Sequence, residues 1–220
     1  MSSGPLRLGV LISGGGSNLQ SIIDACQAKL IPARVECVIS NVAGAFGLER
    51  ARRAAIPAYT VSHAEFSARN EFEDRLLAIL RQHDAQLVCL AGFMRVLTSH
   101  FLSAYPGRIM NIHPALLPSF PGTHGQRDAH RYGVKFSGCT VHFVDEGTDT
   151  GPVIIQAVVP VFDDDTVESL GARILAQEHR IYPRAIQLYA EGRLEMRGRK
   201  VVVKGARCQD FALHNPPLTD

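Results

Sequence analysis

No apolar run in the sequence approaches the roughly 18 residues that a membrane-spanning helix needs. The amino terminus, MSSGPLRLGV, lacks both the positively charged start and the apolar core of a secretory signal. Charge of either sign is nearly balanced: Lys+Arg number 23 against 21 Asp+Glu, a formal net of +2. That balance supplies no bulk attraction to nucleic acid or to an anionic membrane, so any anion must be caught by local structure. The five cysteines, Cys26, Cys37, Cys89, Cys139 and Cys208, form no C-x-x-C pair. Four of them lie in apolar or helical patterns and read as small buried thiols. Internal repeats, low-complexity tracts and linkers are missing too. These absences leave a soluble protein of a reducing, cytoplasmic compartment. It is expected to act on small molecules, without nucleic-acid or membrane partners, as a monomer or homodimer.

What is present is 220 residues, 46% of them hydrophobic, enough for one large domain with a sizeable core. Leu6–Ile12 (LRLGVLI) is a nearly continuous apolar strand of the kind buried on both faces of a parallel sheet. After Ser13-Gly14-Gly15-Gly16-Ser17-Asn18, the residues Leu19, Ile22, Ile23 and Cys26 recur at helical spacing. Strands are expected at 34–40, 57–61, 86–91 and 108–113, and helices at 47–55, from Phe66 to Leu80, and at 98–104. That rhythm predicts an α/β fold with a doubly wound parallel sheet and right-handed crossovers. Runs 136–144 and 153–161 are separated by a loop too short for a crossover helix, so the sheet acquires a mixed or antiparallel part. A helix capped at Thr166 runs to about Ala190, a hairpin turns at Gly198, and residues 206–220 read as a loose tail.

Three segments carry chemistry. The glycines of Gly14-Gly15-Gly16-Ser17-Asn18 let backbone N–H groups approach an anion, and the helix start adds partial positive charge. The segment is neither G-x-x-x-x-G-K-[ST] nor a full G-x-G-x-x-G, because no lysine follows and Leu19 occupies the last glycine's place. On its own residues it divides evenly between a phosphate site and a tight turn.

The second is Asn111-Ile112-His113-Pro114-Ala115-Leu116-Leu117-Pro118, followed by Pro121. On a strand, Asn111 and His113 share one face. Three prolines stiffen the exit path, and the carboxyl end of a parallel strand is where open α/β sheets bind ligands. An amide donor beside an imidazole suits acyl chemistry, one binding an oxyanion and the other moving a proton.

The third is Asp145-Glu146-Gly147-Thr148-Asp149-Thr150-Gly151-Pro152. A carboxylate at Asp149 beside His113 would raise the imidazole pKa and keep it cationic. His142, on the incoming strand, could contribute, but reads first as a satisfied buried histidine. The spacing of His113, His124, His142 and Asp149 matches no usual zinc pattern, so no metal is expected.

Taken in order, LISGGGSNLQ, FGLERA, LAGFMRVL, NIHPALLP, DEGTDTGPVI and QEHRIYP resemble the phosphoribosylglycinamide formyltransferases, folate-dependent enzymes of purine synthesis. The likeness runs from about Leu6 to Met196. It implies a Rossmann-like amino-terminal part and a mixed-sheet carboxyl part within one domain of residues 1–205. Residues 6–107 would form the phosphate-binding half, and 108–205 the catalytic and folate-binding half. By the resemblance, Asn111, His113 and Asp149 are the catalytic trio, while Gly16, Ser17 and Asn18 hold the ribonucleotide phosphate and Glu178 lies near its amine. Met94, Arg95, Val96, Leu97, Asn111 and the loop Asp145, Glu146, Gly147, Thr148 and Asp149 form the folate pocket, with Arg69 near the folate's acidic tail. The implied co-substrate is 10-formyltetrahydrofolate, without metal. Three departures from the family pattern stand out: Gly15 in place of a small polar residue, Gln126 in place of the second histidine of an H-x-H, and Leu175 in place of a polar residue. The competing expectations are a formyltetrahydrofolate deformylase, a methionyl-tRNA formyltransferase, a nicotinamide-dependent oxidoreductase and a non-catalytic folate binder. The extra domain usual in the first two has no room in 220 residues. The oxidoreductase lacks its third glycine and an acidic residue at Ser40-Asn41-Val42, and the intact Asn/His/Asp set argues against the last.

Overall fold

A computed structural model describes residues 4–206 and 212–216. A seven-stranded sheet runs β3-β2-β1-β4-β5-β6-β7. Its strands are β1 (Leu6–Ile12), β2 (Ala33–Ser40), β3 (Ala58–Thr60), β4 (Leu87–Leu90), β5 (Ile109–His113), β6 (Phe136–Phe143) and β7 (Val153–Pro160). The first five pair in parallel, and β6 joins β5, then β7, antiparallel. A separate hairpin pairs β8 (Leu194–Arg197) with β9 (Lys200–Val203). The mixed sheet expected from the short 145–152 connection is therefore present. The parallel order reverses between β1 and β4, and the crevice past the carboxyl ends of those strands is where this architecture takes ligands.

Helices cover both faces. Leu8, Val10 and Ile12 of β1 pack with Leu19 and Ile22 of α1 (Ser17–Gln27), Leu48 of α2 (Phe46–Arg53), and Ile174 and Ile186 of the long carboxyl helix. On the other face, Leu11, Ile39 and Leu90 pack with Phe72, Leu76 and Leu80 of α3 (Arg69–Gln82) and Phe101 of α4 (Ser99–Ala104). Alternation along β1 thus feeds two cores, which is why LRLGVLI has no polar face. Phe66 lies ahead of α3, after a short turn of 3-10 helix at His63–Glu65. It still packs on the same core, edge to face with Phe72.

One helix was not expected: α5, Gly125–Tyr132. Its buried residues are Gly125 and Ala129 alone, so a run of GQRDAHRY carries no apolar stripe for periodicity to reveal. The last helix, α6 (Val167–Ala190), starts at a capping box. Thr166 Oγ1 accepts from Ser169 N at 3.1 Å, and Ser169 Oγ accepts from Thr166 N at 3.0 Å. Deeper in α6, the fully buried Tyr182 hydroxyl shares its proton between the carbonyls of Leu90 (3.1 Å) and Met110 (3.0 Å). That link pins the helix to the two strands whose ends carry the site.

Cys37, Cys89 and Cys139 are buried and Cys26 half-buried. Burial pushes these thiols up, Cys26 to about 11 and the others to about 12, so they stay protonated and inert. Cys208 and most of the expected loose tail lie outside the described residues. Within residues 212–216, Asn215 Nδ2 donates to the carbonyls of Lys135 (2.6 Å) and Val161 (3.0 Å). No helix among the described residues is long and apolar enough to cross a membrane.

Candidate active site

Strand β5 brings Asn111 and His113 to the carboxyl edge of the sheet. Antiparallel pairing with β6 sets His142 opposite Asn111 and Thr140 opposite His113. Asp149 comes from the β6–β7 connection with its backbone in the left-handed region, at φ 55°. Its Oδ2 accepts from Gly122 N at 2.8 Å and lies 3.3 Å from His113 Nδ1. Its Oδ1 lies 3.4 Å from Asn111 Nδ2 and 3.7 Å from His142 Nε2. Asn111 Nδ2 is also 3.1 Å from His142 Nε2, whose Nδ1 donates to Phe143 O at 2.8 Å. On its far side, His113 Nε2 donates at 2.8 Å to the carbonyl of Phe120, a bulky residue itself held at φ 54°. Left-handed backbone at two non-glycine residues is costly, and it concentrates where surrounding structure forces a functional geometry. Both turns here deliver a group to the same imidazole. Close packing completes the pocket behind His113: a Cβ at Gly125 would sit 3.2 Å from its Nε2.

Burial outweighs every other influence on His113 and pushes its pKa below the usual imidazole value, against the pull of Asp149 and the Phe120 carbonyl, with His142 adding to the fall. The expectation that Asp149 keeps His113 cationic is therefore corrected: the side chain is 4% exposed, and the carboxylate only limits the fall. Geometry acts in the opposite sense, because both ring nitrogens face oxygens. The imidazolium donates to both, whereas the neutral ring turns a lone pair to one of them. Burial also opposes ionisation of Asp149. The nearby His142 ring, the Gly122 N–H and the His113 ring nevertheless hold its carboxyl below the usual range.

A cavity of about 200 Å³ opens beside this cluster, walled by Met94, Arg95, Val96 and Leu97 on one side and Asp145, Gly147, Thr148 and Asp149 on the other. Met94 (61% exposed) and Val96 (51%) present apolar surface to it. Asp145 Oδ1 closes the loop by accepting from Thr150 Oγ1 (2.6 Å) and Gly147 N (3.2 Å). One residue placed in the pocket by resemblance, Glu146, sits outside its wall, and Arg69, placed near the folate's acidic tail, lies at its edge. Glu146 is exposed to solvent, and Arg69 donates to the Val96 carbonyl. A larger cavity of about 950 Å³ lies between the far ends of α1, β2 and α2 and contains none of these groups.

The glycine loop forms the neighbouring part of the crevice. Gly16 is the N-cap of α1 at φ 69°, and no side chain caps the helix, so first-turn N–H groups stay free for an anion. A Cβ at Gly16 would lie 2.7 Å from Gly47 Cα, so only glycine fits both the turn and the packing. Arg50 Nε donates to Gly15 O at 2.8 Å. Asn18 Nδ2 donates to Glu178 Oε2 of α6 at 2.7 Å, joining loop and helix across 160 residues. Burial raises the pKa of Glu178 against that hydrogen bond. Among the described residues, the buried Asn18 Oδ1 and His179 Nε2 have no partner. Ser13 Oγ ties the two regions together, accepting from Met94 N at 2.8 Å and donating to Asn41 Oδ1 at 2.5 Å. Of the three departures, Gly15 faces open space, Gln126 packs near Gly171 of α6, and Leu175 is half-buried.

Sequence reading missed His142 as a contact of both Asn111 and Asp149, and the backbone groups of Phe120 and Gly122. Nothing local signals them, because they depend on the β5–β6 register and on two loops meeting. Among the described residues, no three His, Cys, Asp or Glu side chains converge in a way that would hold a metal ion.

The formyl transferase family model matches residues 6–186. The chain belongs to that family. It is 46% identical over 202 residues to the phosphoribosylglycinamide formyltransferase of Escherichia coli, covering 92% of this chain and 95% of that one. It is 48% identical over 188 residues to the trifunctional purine biosynthetic protein adenosine-3 of Chironomus tentans, but spans only 14% of that protein's length. The crystal structure of glycinamide ribonucleotide transformylase 1 from Symbiobacterium toebii superposes with a TM-score of 0.90 at 54% identity, covering 92% of this chain and 95% of that one. This member of the formyl transferase family therefore carries the Rossmann-like fold of its structural relatives.

Proposed function

We propose that the chain moves a formyl group from 10-formyltetrahydrofolate to the amine of phosphoribosylglycinamide, in de novo purine synthesis. The observation that carries this reading is the meeting of Asn111, His113 and Asp149 at a largely apolar cavity whose wall is tied through Ser13 to the glycine loop. The loop at Gly16, Ser17 and Asn18 takes the phosphate, and Glu178 orients the glycinamide end. Met94 to Leu97 and the loop Asp145 to Asp149 receive the pterin, and Arg69 at the rim faces the folate's acidic tail.

The neutral amine attacks the formyl carbon directly and builds a tetrahedral oxyanion. Asn111 Nδ2 and a protonated His113 stabilise that oxygen; donors of this kind are worth about 10²–10³ in rate each. The proton on the attacking nitrogen leaves for the folate N10, relayed through a water by Asp149, acceptor-only and ionised at neutral pH. Collapse of the oxyanion then breaks the bond from the formyl carbon to N10 and releases tetrahydrofolate and the formylated amine. The charge developing on the oxygen favours the imidazolium, so substrate chemistry and Asp149 together counter the burial that favours neutral His113.

The test is folate consumption followed by absorbance, with and without the ribonucleotide. Transfer predicts that consumption requires the ribonucleotide. Equal consumption in its absence makes the protein a hydrolase.

A further inference from the structure

Three arginines with no part in the site above meet at the opposite end of the sheet. Arg7 lies at the start of β1, Arg108 just ahead of β5 and Arg81 on the last turn of α3. With Asp84, Gln86 and Tyr105 they line a cavity of about 370 Å³. Among the described residues, none of these three guanidiniums forms an ion pair. Two are held in place by the main chain. Arg7 Nε donates to Asp84 O at 2.8 Å, and Arg108 Nη2 donates to Ala104 O at 3.1 Å. The Arg108 guanidinium also lies over the buried Tyr105 ring, 4.9 Å from its centroid. These contacts fix the planes of two guanidinium forks yet leave most of their N–H donors free. Burial lifts the Tyr105 phenol pKa, and Arg108 and Arg81 both pull it back, so both charges are felt at the same wall.

Asp84 offsets one of the three charges, and the remainder is uncompensated on a chain whose net charge is only +2. An oxyanion would relieve that repulsion and fill the free donors, and guanidinium forks match the spacing of phosphate oxygens. The cavity falls within the roughly 300–1,000 Å³ of small-molecule sites. A polynucleotide would call for a longer, unbroken basic stripe, whereas this lining includes Asp84. We propose that this cavity is a second anion site, separate from the glycine loop and at the other end of β1, for a small molecule bearing a phosphate ester or diphosphate.

Pyrophosphate titrated into the ¹⁵N-labelled protein at fixed ionic strength tests this. Saturable shifts are expected at the backbone amides of residues 84–86 and 108 and at the Nε–H signals of Arg7 and Arg108. In the Arg81→Gln/Arg108→Gln double variant, affinity at this locus should fall about tenfold or more, the size expected for lost charge-assisted bonds, while shifts at Gly16–Asn18 stay as in the parent. Arg81→Gln alone, at an exposed side chain, should weaken binding about threefold or more and guards against a folding defect in the double variant. Shifts confined to Gly16–Asn18, or unchanged affinity in both variants, would overturn the proposal. Tighter binding of a single-stranded oligonucleotide than of pyrophosphate at these residues would overturn it too, by making the surface a nucleic-acid contact.

Discussion

The glycine loop after β1 and the cluster after β5 serve one crevice but are built from different materials. The loop offers main-chain N–H groups, and its shape is held by the absence of side chains: at Gly16 both φ and the approach of Gly47 exclude a Cβ. The cluster offers side chains, and their aim is held by strained backbone at Phe120 and Asp149 and by the β5–β6 register. A backbone site binds charge without titrating, so it suits a group that only has to be held. A side-chain site can change protonation during a turnover, so it suits the reacting atoms. Damage to the loop should therefore appear in binding, and damage to the cluster in turnover.

The sharpest way to break that division is Asn111→Ala. Loss of a donor to the developing oxyanion should lower kcat by about 10²–10³, with ribonucleotide KM nearly unchanged in steady-state kinetics. A rise in KM alone would move Asn111 to the binding side. Asp149→Asn comes next, because an asparagine tolerates the left-handed φ at that position and keeps the size while removing the charge and one of the two acceptor oxygens. We expect a fall of about 10² in kcat. The His113 titration, read by NMR, should move to still lower pH, since the one nearby carboxylate opposing burial is gone. An unchanged His113 titration would reduce Asp149 to a loop-shaping residue.

Gly16→Val tests the other half of the comparison. The ribonucleotide KM should rise about tenfold or more while the folate KM holds, and stability should drop on the order of 1–2 kcal/mol from the left-handed φ alone. Weakened folate binding with intact ribonucleotide binding would reverse the two assignments. Glu178→Gln should have the smallest effect on the fold, and in an unusual direction. Burial raises the carboxyl pKa in the folded state, so the folded protein holds that proton more tightly than the unfolded chain. Its stabilising contribution is present below the ordinary carboxyl pKa and lost as pH rises through the raised one. Wherever Glu178 is ionised it is a cost to the folded state. The amide should raise Tm at pH 7, each 1 kcal/mol gained showing as about 2–4 °C in a domain of this length, while ribonucleotide KM rises. A lower Tm would mean that the bond from Asn18 outweighs burial.

The parts of the fold and site that were legible in the sequence share one property: their signal is local. LRLGVLI is a strand because two cores flank it, and Asn111 and His113 share a face because a strand alternates. The cap at Thr166 and the hairpin turn at Gly198 are equally local. What was not legible depends on distant pairing or on a helix without an apolar stripe. His142 joins the cluster only through a register set 31 residues away from Asn111. Helix α5 hides because its packed face is Gly125 and Ala129. The protonation state of His113 hides for a third reason, since it depends on how completely the Phe120 and Asp149 loops close over the ring.

The fate of the formyl carbon tests the central claim most directly. Protein supplied with ¹³C-formyl-labelled 10-formyltetrahydrofolate and phosphoribosylglycinamide should place the label in an amide on the ribonucleotide, seen by ¹³C NMR in step with folate loss. Label released as formate, at the same rate whether or not the ribonucleotide is present, would contradict the account.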